Sequence, residues 1–255
     1  DFELIIIDAG SKDDTHKIFS KYVKDKRIKV FIMEGISFYD GLRYGVMKSK
    51  GEYISFMPIS DSYASMDWLE ICANTMNNNK EISLVHGISI HNDDNDSQFF
   101  GKGTREYCPS EKDFLPFWLA SFFIYSEHTF CIRKSVYEVC LRENVMEIEN
   151  YHRKYKDQIK NKEMDTFNEF LTLSYNFNKL GYLSKFIPKI VGVVRLHSNS
   201  NVIKYHNSND IINRIYIKLV KQFRIELFKG KIVYHFKNGQ GEKLKVLNGR
   251  RLNNC

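Results

Sequence analysis

Short apolar runs rich in isoleucine recur along this chain, and the stretches between them have helical periodicity. Phe2–Ile7, Ile28–Met33, Glu52–Met57 and Ile82–Ile90 are each too short for a helix and are bounded by polar or glycine-bearing turns, a pattern that predicts buried strands. A helix is predicted from near Lys12, where Ser11 and Asp14 have capping-box spacing, with Ile18, Phe19, Tyr22 and Val23 facing inward. Further helices are predicted over Phe38–Lys50, with Gly51 just past the end, and over Met66–Met76 behind a Ser65 cap. Strands that alternate with helices leave few folds open. The expectation is an α/β layer structure with a mainly parallel central sheet. In such sheets ligands gather beyond the carboxyl ends of the strands, which directs attention to Asp8–Asp14 and Pro58–Tyr63.

The remainder continues the alternation less regularly. His91–Ser110 reads as a polar loop, Thr129–Arg133 as a strand, Lys134–Arg142 as a helix, and the charged stretch Glu143–Lys162 as a loop or exposed helix. Asp165–Leu180 has helical spacing with Gly181 as its stop, and Tyr182–Arg195 alternates around Pro188 as one or two strands. Ile211–Phe228 is amphipathic: Ile212, Ile215, Leu219, Phe223 and Leu227 share a face. At 255 residues, 43% hydrophobic and 27% charged, the composition excludes a disordered tail or a stapled mini-protein. The longest apolar stretch, Phe114–Tyr125, is interrupted by Pro116 and falls short of the roughly 20 residues that span a bilayer. Its aromatic residues Trp118, Phe122, Phe123 and Tyr125 are candidates for a binding surface or for core. The five cysteines are widely spaced with no C-x-x-C, so reduced thiols in a cytoplasmic protein are expected.

Charge divides the chain. Residues 203–255 hold twelve Lys and Arg against three acids, +9, whereas the whole chain is +7, so residues 1–202 carry −2. The division predicts a body over 1–202 and a basic helical appendage over 203–255 whose partner is anionic, such as a membrane surface. Nucleic acid is not expected, because no basic sheet face with interleaved aromatics accompanies the tail.

The strand ends carry a resemblance. Phe2–Thr15 (FELIIIDAGSKDDT) is similar to the I-I-V-D-G-G-S-x-D-G-T opening of the nucleotide site in family 2 glycosyltransferases. Gly35–Gly45 (GISFYDGLRYG) resembles their G-I-Y-D-A-M-N-x-G stretch, and Gly51–Tyr63 (GEYISFMPISDSY) their G-E-Y-I-x-F-L-N-S-D-D-x-Y. Ser83–Gly87 (SLVHG) is similar to D-V-V-Y-G, His128–Ser135 (HTFCIRKS) to H-x-T-F-I-R-R-S, and Glu163–His197 to the x-E-D helix and closing R-x-H. The six stretches occur in order over about residues 2–200. The resemblance implies a GT-A sandwich and an inverting transfer of a sugar from a nucleoside-diphosphate donor, UDP-linked, to a glycan or lipid-linked acceptor. Polysaccharide biosynthesis at the inner face of a membrane fits that acceptor. The family's sequences begin with one more strand and helix, and that strand lies centrally in the sheet, so a gap at the sheet centre is expected here.

What the resemblance implies residue by residue follows its motifs. Asp61 and His197 would hold Mn²⁺ or Mg²⁺ against the diphosphate, a task suited to hard oxygen donors and imidazole. Asp165 would be the general base toward the acceptor hydroxyl, with Glu163 its neighbour. Helix capping is the plainer role for Asp165. Asp8 would accept from the base N–H, Gly10 and Ser11 form the turn beside it, and Asp40 and Ser60 lie near the nucleotide. Arg43 reads either as a phosphate contact or as an exposed helical residue. The aspartate pair is reduced to Ser60-Asp61, and Met164 stands within Glu163-Met164-Asp165. These departures motivate the alternative of a non-catalytic nucleotide-sugar-binding protein.

Overall fold

The structure, a computed structural model, describes residues 1–93, 97–99, 108–142, 161–196 and 206–244. Its elements run β1 (Leu4–Asp8), α1 (Thr15–Tyr22), β2 (Ile28–Ile32), α2 (Phe38–Lys48), β3 (Tyr53–Ser55), β4 (Ser62–Tyr63), α3 (Trp68–Asn78), β5 (Ile82–Asn92) and β6 (Gln98–Phe99). They continue through α4 (Phe114–Ser121), β7 (Phe130–Arg133), α5 (Lys134–Arg142), α6 (Asn161–Lys179), β8 (Leu183–Arg195) and α7 (His206–Phe228).

The strands form two sheets. β1 and β2 pair in parallel from Leu4↔Ile28 to Asp8↔Ile32. The larger sheet has the order β3-β7-β5-β8-β4, with β6 on β5. Within it β5 and β8 are parallel, while β7 enters antiparallel to both β3 and β5, and β4 antiparallel to β8. The α/β architecture is as expected; the pairing is mixed rather than mainly parallel. β1 and β3 share no ladder, although Glu3 Oε1 accepts from the N–H groups of Lys50 (2.5 Å) and Gly51 (3.1 Å) and so holds the start of β1 beside the start of β3. β1 and β2 thus stand as a two-stranded sheet apart from the six-stranded one.

Period-2 alternation builds a core on each face of the larger sheet. Phe130 and Ile132 of β7 join one cluster with Leu84, Trp118 and Leu173, while Cys131 between them joins Trp68, Cys72, Met76 and Val85 on the other face. β8 is a single strand through Pro188. The proline lies where the β5–β8 register shifts and outside the stretch paired to β4, so its missing N–H breaks no ladder. Trp118 and Tyr125 are core, and Phe122 and Phe123 pack against it. Cys72, Cys108, Cys131 and Cys140 are buried thiols outside any disulfide among the described residues.

Two local expectations change. Ser11 does not cap α1, which begins at Thr15, because its hydroxyl donates to Asp8 Oδ1 instead. Nor is α1's apolar side covered: none of its residues is buried, and Ile18, Tyr22 and Val23 are more than half exposed. α2, by contrast, is capped by Ser37, which accepts from Asp40 N–H at 3.2 Å.

The C-terminal segment is not a free appendage. Tyr216, Leu219, Val220 and Phe223 of α7 belong to the same cluster as α4, α5 and α6. Trp118 Nε1 donates to Tyr216 Oη (2.8 Å), which donates on to Phe123 O (2.8 Å). Beyond Gly230 the chain returns under the sheet, where Lys237 bridges both Tyr182 and Lys243, and Gly239 N–H donates to Lys80 O. From Ile215 to Leu227 the apolar stripe that suggested membrane insertion is therefore spent on packing. Among the described residues no helix is long and apolar enough to cross a membrane.

Candidate functional site

Three groups of side chains gather near strand ends and helix starts. The first lies at the carboxyl end of β1. Asp8 is 6% exposed, and its carboxylate accepts from Ser11 N–H (3.1 Å) and Ser11 Oγ (2.5 Å), with His16 Nε2 at 3.2 Å. The Ser11 hydroxyl, above all, holds this carboxyl below its ordinary range, against burial. Gly10 makes the turn possible: its φ is +97°, and a Cβ there would lie 3.1 Å from Glu34 Cγ. The three residues expected here are thus brought together, and the carboxylate already has three partners of its roughly four acceptor sites.

The second group follows β3. A turn closed by Asp61 N–H to Pro58 O (3.0 Å) presents Ser60 at the surface and turns Asp61 inward, its side chain 7% exposed. Asp61 Oδ1 accepts from Ser60 Oγ (3.2 Å) and Arg195 N–H (3.3 Å), and Oδ2 lies 3.4 Å from His128 Nδ1. Burial raises the Asp61 carboxyl above its ordinary value. His128 is pushed down to about 4, first by burial and then by His91, so it stands neutral beside the acid. Its Nε2 is buried with no hydrogen-bond partner among the described residues. Only glycine fits at 192, since a Cβ there would lie 2.7 Å from His128 Cδ2. Among the described residues no Lys or Arg side chain pairs with Asp61. A buried carboxylate without a cationic partner is costly alone, and its hard oxygen donors fit a divalent cation. No cluster of three or more such donors is complete among the described residues. His197 lies outside them.

The third group joins α2 to α6. Asp40 Oδ2 accepts from Ser37 Oγ (2.7 Å), and Oδ1 lies 3.7 Å from Arg43 Nη1. Arg43 Nε donates to Glu169 Oε2 at 3.0 Å, and the Tyr137 hydroxyl donates to Glu169 Oε1. Arg43 is thus neither unpartnered nor simply a surface residue. Glu163 and Asp165 stand on α6; Asp165 lies beyond its first turn, so it does not cap it. No hydrogen bond or ion pair joins the three groups to one another among the described residues.

Sequence reasoning missed His128 and Glu169. His128 opens the HTFCIRKS stretch, so its place ahead of β7 was visible; its approach to Asp61 depends on β3 and β7 pairing. Glu169 directly precedes the buried Phe170 and Leu171, and an acid beside that apolar pair was its only signal.

The profile described as Glycosyl transferase family 2 matches residues 1–141. A curated relative from Rickettsia typhi, named as an uncharacterized glycosyltransferase, is 29% identical over 113 residues, 44% of this chain and 35% of that protein. The chain therefore spans about a third of that relative's length. Among solved structures, S. aureus TarS 1-349 has a TM-score of 0.52 at 12% identity, over 84% of this chain and 55% of that one. TarS 1-349 in complex with UDP has a TM-score of 0.51 at 14% identity, over 89% and 63%. At such identities the likeness shows the fold alone: an α/β sandwich of the GT-A kind.

Proposed function

Because this chain belongs to glycosyl transferase family 2, we propose that it moves a sugar from a UDP-linked donor to a hydroxyl of a glycan or lipid-linked acceptor, with inversion and with a divalent cation. The observation that carries the reading is Asp61: a buried carboxylate past the end of β3, with a neutral histidine beside it and no Lys or Arg partner among the described residues. Arg195, whose N–H it accepts, is two residues before His197, a span of at most roughly 7 Å. Asp61 and His197 would hold Mn²⁺ or Mg²⁺, which neutralises charge on the departing diphosphate. Support for a uracil nucleotide comes from TarS, a protein of the same fold solved in complex with UDP.

The remaining roles fall to the chain's own residues. Asp8, fixed by Ser11 and the Gly10 turn, offers its last acceptor site to a base N–H. Asp40 and Ser60 border the nucleotide. Asp165 takes the proton of the acceptor hydroxyl as its oxygen attacks the anomeric carbon and the bond to the diphosphate breaks. Glu163 is the neighbouring carboxylate. A lipid-linked acceptor would be met at a cytoplasmic membrane face, which the basic C-terminal residues suit.

Calorimetry with UDP, with and without Mn²⁺, tests the core of this. Wild type should bind more tightly with metal, and Asp61→Ala should abolish the difference together with turnover of a labelled UDP-sugar. Metal-independent binding of equal strength in both proteins overturns the assignment of Asp61. Binding without turnover in wild type makes the chain a nucleotide-sugar-binding protein instead. Asp165→Asn should lose roughly 10²–10⁴ in rate with UDP affinity kept. If Glu163→Gln is the inactive variant and Asp165→Asn is active, the base is Glu163.

A further inference from the structure

Glu169 is the acid that the proposed reaction leaves without a task. Its side chain is fully buried in α6, four residues and so about one turn beyond Asp165. Each of its oxygens has its own donor from a different helix: Tyr137 of α5 on Oε1, and Arg43 of α2 on Oε2 at 3.0 Å. Arg43 in turn faces Asp40, three residues earlier, whose other oxygen is held by the Ser37 cap. Tyr39 and Phe170 meet edge to face at 5.8 Å alongside. One carboxylate therefore pins the second turn of α2 against the middle of α6.

Stability gives a poor account of this arrangement. Burying a carboxylate is costly, and a buried ion pair can often be replaced by packed apolar side chains at no loss. Directionality gives a better one. A 3.0 Å hydrogen bond from a planar guanidinium does not survive a shift of about 1 Å between helices, whereas greasy packing slides. We propose that Glu169 is a positioning residue: through Arg43 and Tyr137 it sets the register of the α6 turn bearing Asp165 against the α2 turn bearing Asp40. The proposal rests on the reading that Asp40 borders the donor and Asp165 serves as base.

The test uses the full chain with Glu169→Gln, Arg43→Met and the double variant. Glu169→Gln keeps shape but leaves one oxygen for two donors. Its kcat should fall roughly 10–100-fold, the scale of a slight misplacement of reacting groups, with donor KM and UDP affinity unchanged. Arg43→Met should lose about as much, and the double variant no more than the worse single. Wild-type kcat in folded Glu169→Gln overturns the proposal, as does a kcat loss matched by lost UDP affinity, or one that only tracks the unfolded fraction seen by calorimetry. If wild type turns over no donor, or Asp165→Asn is fully active, the catalytic reading has failed separately. Amide exchange then decides the strut: faster exchange in the turns of α2 and α6 around Arg43 and Glu169 in Glu169→Gln upholds it, and exchange unchanged in either overturns it.

Discussion

At the scale of single residues, the buried histidines tie this fold to pH. His86 sits among Phe114, Phe123, Tyr125 and Phe186, and burial pushes it down to about 3. His128 stands at about 4 for the same main reason. An unfolded histidine titrates near 6.5, so between that value and these the unfolded chain holds more protons than the native one. Stability is therefore intact above about pH 6.5 and falls as pH drops toward 4, by up to about 1.4 kcal/mol per pH unit for each histidine. Carboxylates such as Asp8, with a lowered native value, add to the loss only below their unfolded range near 4. Thermal unfolding from pH 7.5 to 5 should show a falling Tm, and His86→Phe, which keeps an aromatic ring in an aromatic setting, should flatten that fall. A Tm that is level over this range in wild type means that neither histidine stays neutral on folding.

At the scale of elements, the question is what the chain's pattern reveals and what only pairing decides. The strand ends bearing Asp8 and Asp61 were legible because short apolar runs followed by Gly, Ser and Asp have one common use in an α/β sheet. Glu169 was not legible, since its meaning comes from Arg43, 126 residues earlier, and Tyr137, 32 earlier. The antiparallel entry of β7 was equally hidden, because strand direction depends on the connection rather than on the strand's own residues. α7 was visible as an amphipathic helix, but amphipathicity names a face and not its partner. The packing of that face is testable. Phe223, 2% exposed against Trp118 and Tyr175, should cost about 3–5 kcal/mol when changed to alanine. Gly181→Ala should also destabilise, because φ is +86° and the new Cβ would meet His235 O at 2.0 Å. Chemical denaturation reads both; a neutral Phe223→Ala would mean that α7 does not pack as described.

At the scale of the molecule, the C-terminal half of α7 and the turn after it still offer an outward surface. With Leu219 and Phe223 buried, insertion by the inner stripe is excluded, yet Ile225, Phe228 and Val233 are 51%, 52% and 79% exposed beside the exposed Lys221, Lys229 and Lys231. Each lysine near an anionic surface contributes about 1 kcal/mol, and three apolar tips entering the headgroup region would add to this without unpacking the helix. The expected behaviour is reversible docking: flotation with anionic vesicles at low salt, loss of binding as salt rises past the point where the Debye length falls to roughly 8 Å, and no flotation with neutral vesicles. Lys221→Glu, Lys229→Glu and Lys231→Glu together should abolish flotation while leaving UDP binding intact, because none of the three lies in the groups around Asp8, Asp40 or Asp61. Truncating residues 203–255 would be the wrong experiment, since it removes Tyr216, Val220 and Phe223 from the core. Equal flotation with neutral vesicles, or none at low salt, makes the basic end a solvated surface and leaves a soluble glycan as the acceptor to seek.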